Sequence, residues 1–173
     1  MQIMIIVLLL ASLLAVWILS VRRKLVTQEE NIQNAMHQTL VQLAAEREAL
    51  EGLTELLGKD MDIEIFWKMK HALERTPGGT EAQLPEQVTE QQRELLKVQK
   101  KIAEISEKMP QLQTQEPYQK YWKAAKSYEH MVMTSGLIYN DSVENYNRMI
   151  CKIPDRLAAG ICGFHQKKLI EIM

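Results

Sequence analysis

The sequence predicts an all-α chain: an N-terminal transmembrane helix followed by an antiparallel, up-down-up-down four-helix bundle. Three observations carry that expectation. No charged side chain occurs between Ile3 and Val21. In the rest of the chain, apolar residues recur at alternating spacings of three and four, the period of helices buried along a seam and not of strands. There are only 7 Gly and 5 Pro in 173 residues, while Gln, Glu, Lys, Leu and Met abound, which favours helix throughout.

The apolar stretch IMIIVLLLASLLAVWILSV would span ~28 Å as a helix, close to the hydrocarbon thickness of a bilayer. A cleaved signal peptide needs a basic start and a small-x-small cleavage site. Here the stretch starts after Met1-Gln2, contains Trp17, and runs into Arg22, Arg23 and Lys24. It therefore reads as a retained anchor, residues 1–24, with the lipid bilayer as its partner. Three cations follow the span and no charge precedes it. The positive-inside rule then puts residues 25–173 in the cytoplasm and the short N-terminus outside. Trp17 suits the interfacial end. Ala11 and Ala15 form a small-xxx-small pair, too common a spacing to argue for a dimer.

No breaker separates the anchor from the first soluble helix, about 25–57, whose apolar face is Ile32, Met36, Leu40, Leu43, Leu50, Leu53 and Leu57. Gly58-Lys59-Asp60 supplies a C-cap and the next N-cap. A shorter helix, about 61–75, turns Ile65, Phe66, Met69 and Leu73 inward. Thr76-Pro77-Gly78-Gly79-Thr80 is the clearest loop. A third helix, from about 82 or 85 to 108, has the seam Val88, Gln91, Leu95, Val98, Ile102, Ile105, Met109. Pro110 and a polar segment lead into the longest helix, 117–153, a rod of roughly 55 Å. One of its rows is Tyr118, Ala125, Val132, Tyr139, Tyr146, Ile153; the other is Trp122, Glu129, Gly136, Val143, Ile150. Pro154 ends it, and a short apolar segment, 155–163, closes the chain at Gly163-Phe164.

Four short-connected amphipathic helices make an up-down-up-down bundle. Counting directions returns the long helix toward the membrane. Leu157 to Phe164 is then either a hook closing the bundle's end or an interfacial membrane contact.

A net charge of -1 gives no electrostatic footprint for nucleic acid. Cys151 and Cys162, outside any CxxC pair, are expected reduced and buried. Carboxylate-bridged metal sites in bundles need Glu-x-x-His on two helices. None of His37, His71, His130 or His165 has a Glu three residues before it, so neither metal nor cofactor is expected. No phosphate loop or nucleophile elbow is present.

Polar residues that interrupt apolar rows are more informative. Glu129 interrupts the fourth helix, Gln91 the third, and Arg47 the first. A buried carboxylate destabilises by several kcal/mol unless paired, so Glu129 is expected to meet Arg47 or a Tyr hydroxyl, or else to reach water at the seam's edge. Tyr139 and Tyr146 lie a heptad apart, as do Asn140 and Asn147. They are either a docking strip or core tyrosines with bonded hydroxyls and asparagines satisfied on neighbouring helices. Gly136 is expected to admit a close neighbour.

The stretch Met109 to Phe164 resembles the C-terminal signature of the LemA family of bacterial membrane-anchored helical proteins. It carries MPQL, EPYQKYW, the pairs Tyr139-Asn140 and Tyr146-Asn147 around Val143, then Ile153-Pro154 and Gly163-Phe164. Leu25-Val26, Glu30, Ala35, Gln38 and Val41-Gln42-Leu43 also match. The family's arginine pair and DLIPNL-like motif are replaced here, with Ala45-Glu46 at the arginines and Glu51-Gly52 at the proline and asparagine. The chain is therefore similar to a divergent member.

The resemblance implies a bacterial inner-membrane, single-pass protein without a defined activity. Some relatives organise internal membranes, as the MamQ type does, and some are encoded beside membrane metalloproteases. The expected function is thus a non-enzymatic scaffold at the cytoplasmic face whose protein partner is itself, a membrane metalloprotease or membrane-remodelling machinery. The alternatives are a metal-binding or enzymatic bundle, and direct membrane remodelling through the C-terminal apolar segment.

Overall fold

The computed structural model describes residues 1–58, 61–75 and 84–172. All regular structure among them is helical: α1 (Gln2–Leu57), α2 (Ile63–Arg75), α3 (Pro85–Glu107), α4 (Pro110–Gln113), α5 (Glu116–Cys151) and α6 (Asp155–Cys162). A tail without regular structure, 164–172, follows. Lys59, Asp60 and the 76–80 loop lie outside the described residues.

Helix α1 runs unbroken from the apolar span to Leu57, because nothing between Gln2 and Glu51 is Gly or Pro. Gly58 follows it, its amide returning to the Glu55 carbonyl at 3.3 Å. The lack of a break after the apolar stretch, expected from the sequence, is seen as one helix, Gln2–Leu57. One segment of α1 is long and apolar enough to cross a membrane, and none of it is buried by protein.

Pro85 opens α3 where a missing N–H does no harm. The Leu84 carbonyl accepts from the Gln87 amide at 3.0 Å, and the Gln87 side chain accepts from the Leu84 amide at 3.4 Å. The α3 seam from Val88 to Ile105 is buried, Gln91 included. The polar segment after Pro110 is not a plain linker: its first four residues form the single turn α4, with Leu112 buried. Glu116 in the first turn of α5 and Arg148 in the last complement its dipole.

The long helix ends two residues earlier than its apolar row suggested. Tyr118, Ala125, Val132, Tyr139 and Tyr146 are buried, but Ile153 lies beyond the helix and is 81% exposed. Gly163 ends α6 at φ 77°, a left-handed conformation that favours glycine. There the Phe164 amide donates to the Ala159 carbonyl at 3.0 Å, the six-to-one bond of a Schellman motif.

The chain divides into two compact units. The first, Met1–Asn34 with Tyr139–Leu169, buries Val21, Leu25 and Ile32 of α1, Val143, Tyr146 and Ile150 of α5, and Ala158 and Ala159 of α6. The second, Ala35–Ile138 with Ile170–Met173, has its core in the Leu40–Leu57 face of α1, Met69 and Leu73 of α2, and the α3 seam. Tyr118, Ala125 and Val132 of α5 and Ile170 of the tail complete that core. Within the second unit α5 runs antiparallel to α1. Ser135 donates to the Gln42 side chain at 2.6 Å, and the Tyr121 ring occupies the space a side chain at Gly52 would need.

Candidate functional site

Three groups of polar or exposed residues stand apart from ordinary packing. The first is a clamp in the first unit. The Asn147 side chain donates to the Lys167 carbonyl at 2.8 Å and accepts from the Lys167 amide at 2.9 Å. One carboxamide thus satisfies both backbone groups of a residue in a segment with no helix or ladder of its own. One heptad earlier, the Tyr139 hydroxyl donates to the Lys168 carbonyl at 2.9 Å.

Tyr146, fully buried, points its hydroxyl at Glu29 of α1 at 3.5 Å, and the Lys167 ammonium reaches the same carboxylate at 2.6 Å. Burial, and then the Glu29 charge, push the Tyr146 hydroxyl up to about 12, so it stays a donor at any physiological pH. Lys167 also lies 5.6 Å from the Tyr146 ring centre.

Both tyrosines are therefore structural. The asparagine expectation needs correction in one respect: Asn147 is satisfied by the tail and not by a neighbouring helix. Asn140 is half-buried. Gly136 admits a close neighbour, as its place in the seam suggested. A Cβ there would lie 3.1 Å from two atoms of Ile172, so the tail passes directly over it.

The second group surrounds Glu46 in the other unit. Its carboxylate is 1% exposed, and neither oxygen has a protein hydrogen-bond partner. Burial first, then the nearby Glu129 charge, raise its pKa to about 8 against the partial relief of Lys126. Lys126 is the hub, donating to Glu129 at 2.9 Å and to the Gln99 side chain at 3.3 Å.

The expected Glu129–Arg47 pair does not form. Arg47 pairs with Glu51 one turn along its own helix at 3.2 Å, and Glu129, partly open to water, pairs with Lys126. The buried carboxylate is Glu46, one residue from where the sequence pointed. The signal was present: Leu43, Glu46, Leu50, Leu53 and Leu57 run at three-four-three-four spacing, so Glu46 is itself in the row. Arg47 fits the alternative row through Met36, Leu40 and Leu43. The two are separated by one residue, or 100° of helix.

The third group is the outward face of α5 within the second unit. Met131, Met133 and Leu137 are 43%, 38% and 58% exposed, and no Asp, Glu, Lys or Arg occurs between Glu129 and Asp141. A charge-free run of exposed large apolar groups departs from an ordinary solvated face.

The remaining predicted positions are scattered. Ile3, Arg22, Arg23 and Lys24 are exposed, Trp17 is half-buried and Val21 is buried. Pro154 is exposed, while Gly163 and Phe164 form the α6 cap. The cysteines are free, but Cys151 is exposed and Cys162 half-buried, where burial of both was expected. Helix α5 ends at Cys151, so that thiol lies outside the seam. Among the described residues no three His, Cys, Asp or Glu side chains stand close enough to hold a metal ion.

A comparison with curated proteins finds no match. The family model for the LemA family matches residues 18–173, which takes in the second unit, the first unit from Ile18 onward, the YN pairs, the α6 cap and the clamped tail. That match covers nearly the whole chain and agrees with the helical fold and the apolar N-terminal helix, and the chain belongs to the LemA family.

Proposed function

We propose that the chain is a membrane-anchored, non-enzymatic scaffold of the bacterial inner membrane, holding a protein partner on the cytoplasmic side. The anchor is the apolar start of α1, oriented by Arg22, Arg23 and Lys24. The observation that carries the docking role is the outer face of α5, where Met131, Met133 and Leu137 are exposed without an intervening charge. Methionines adapt their shape to a partner, and such surfaces recur where one protein receives another. The partner is either a second copy or a membrane-resident protein, a metalloprotease among them.

Crosslinking and pull-down of the full-length protein from its native membrane test this reading. A discrete partner band that is lost with Leu137→Asp supports it, since an aspartate there would have to be desolvated on docking. A partner band unaffected by that substitution removes the α5 face from the account. Stoichiometric iron or zinc in the purified full-length protein would overturn the scaffold reading in favour of a metal-binding bundle.

A further inference from the structure

The face of α6 turned away from the core is apolar. Leu157 and Ile161, one turn apart on α6, are 64% and 72% exposed, and Ile153 just before the helix is 81% exposed, whereas Ala158 and Ala159 are buried. Three aliphatic side chains in nine residues, all open, are not a face that water stabilises.

Its surroundings say what covers it. Helix α6 belongs to the same compact unit as the apolar span. In that unit Val21 and Leu25 are 4% and 0% exposed, although nearly every residue from Ile3 to Ser20 is open. Besides α1 itself, the unit contains only the end of α5, α6 and the following tail. These segments therefore bury the α1 positions at which the span leaves the bilayer. The Glu29 contacts of Tyr146 and Lys167 lie eight residues beyond Val21, ~12 Å along the axis. The headgroup layer on each side of the hydrocarbon is about 5–8 Å deep, so these contacts lie just outside it.

The charge agrees. Between Asn145 and Ile170 the chain has five Lys or Arg and a single acid, Asp155. Lys152 and Arg156, beside the apolar stripe, are exposed. Basic groups next to an apolar helix face match an anionic lipid surface.

We propose that α6 lies in the headgroup region of the bilayer crossed by the N-terminal span, inserting Ile153, Leu157 and Ile161 beneath anionic lipids as a second membrane contact. The inference rests on the anchor reading above. It makes the clamp a device that holds α6 at the membrane: Asn147 and Tyr139 fix the tail after α6, and Glu29 ties that tail to α1 just past the span.

The test uses full-length protein with Cys151→Ser and Cys162→Ser, reconstituted in vesicles of phosphatidylcholine and phosphatidylglycerol. Single cysteines at Leu157→Cys, Ile161→Cys, Leu10→Cys and Glu104→Cys carry an environment-sensitive fluorophore, with nitroxide lipids as quenchers. The expected result is blue-shifted emission from 157 and 161, lost to a shallow nitroxide, with deep quenching at 10 and none at 104. If 10 is quenched while 157 and 161 behave like 104, α6 sits in water and the proposal fails alone. If 10 is not quenched, the anchor reading fails and takes this one with it. If the shift at 157 and 161 grows with the protein-to-lipid ratio, a second copy covers the face and the lipid assignment is overturned.

Discussion

Glu46 is the residue whose chemistry is least at ease in its surroundings. Its folded pKa of about 8 stands above the ordinary carboxylate value of 4.5. The folded chain therefore binds a proton that the unfolded chain has released between those two values. Stability then falls as pH rises through that window, full below it and lowest above it. Glu46→Gln is expected to raise the melting temperature of the full-length protein in detergent at pH 8, by a few kcal/mol in stability terms, and to change little at pH 5. An equal effect at both pH values would mean that the carboxylate is ionised and paired.

Asn147 illustrates the opposite case, a polar group fully used. Asn147→Ala leaves the Lys167 amide and carbonyl without their partner, a loss of about 1–3 kcal/mol. Hydrogen exchange at the Lys167 amide should accelerate while that of the α3 core is unchanged. Protection retained at Lys167 would show that the tail is held by something else.

Among the helices, those with long seams were legible. α1, α3 and α5 each repeat their apolar row over several heptads, and such a pattern survives one polar intruder. Their ends were less so. Ile153 continued the α5 row on paper, but the helix stops at Cys151 and leaves it exposed. The tail after Phe164 was not legible at all, because a backbone held by an asparagine carboxamide and a tyrosine hydroxyl has no periodicity to display. Glu46 was missed for a narrower reason: two rows cross at Leu43, and the choice between them decides whether Glu46 or Arg47 faces the core. Gly136 was readable as a site of close approach, though not what approaches it. With Ile172 3.1 Å from a virtual Cβ, Gly136→Ala is expected to be near neutral, its gain in helix propensity of about 1 kcal/mol offsetting a small shift of the tail. Gly136→Leu should expel Ile172 and speed proteolysis of the C-terminus. Unchanged proteolysis in the leucine variant would show that the contact is dispensable.

At the scale of the molecule, α1 runs without a break from a segment long and apolar enough to cross a membrane into residues that both compact units share. The first unit ties its own tail down with polar contacts from Tyr139, Asn147 and Glu29. The second unit keeps an outer α5 face unsatisfied. The proposed scaffold role assigns the docking face to the second unit. The account is tested most directly by a photo-crosslinking side chain at Leu137 in the full-length protein, irradiated in its native membrane, with Glu104 on the outside of α3 as the control position. A discrete protein adduct from 137 and none from 104 is the predicted result. Equal labelling from both positions, or no protein adduct from 137, would contradict it.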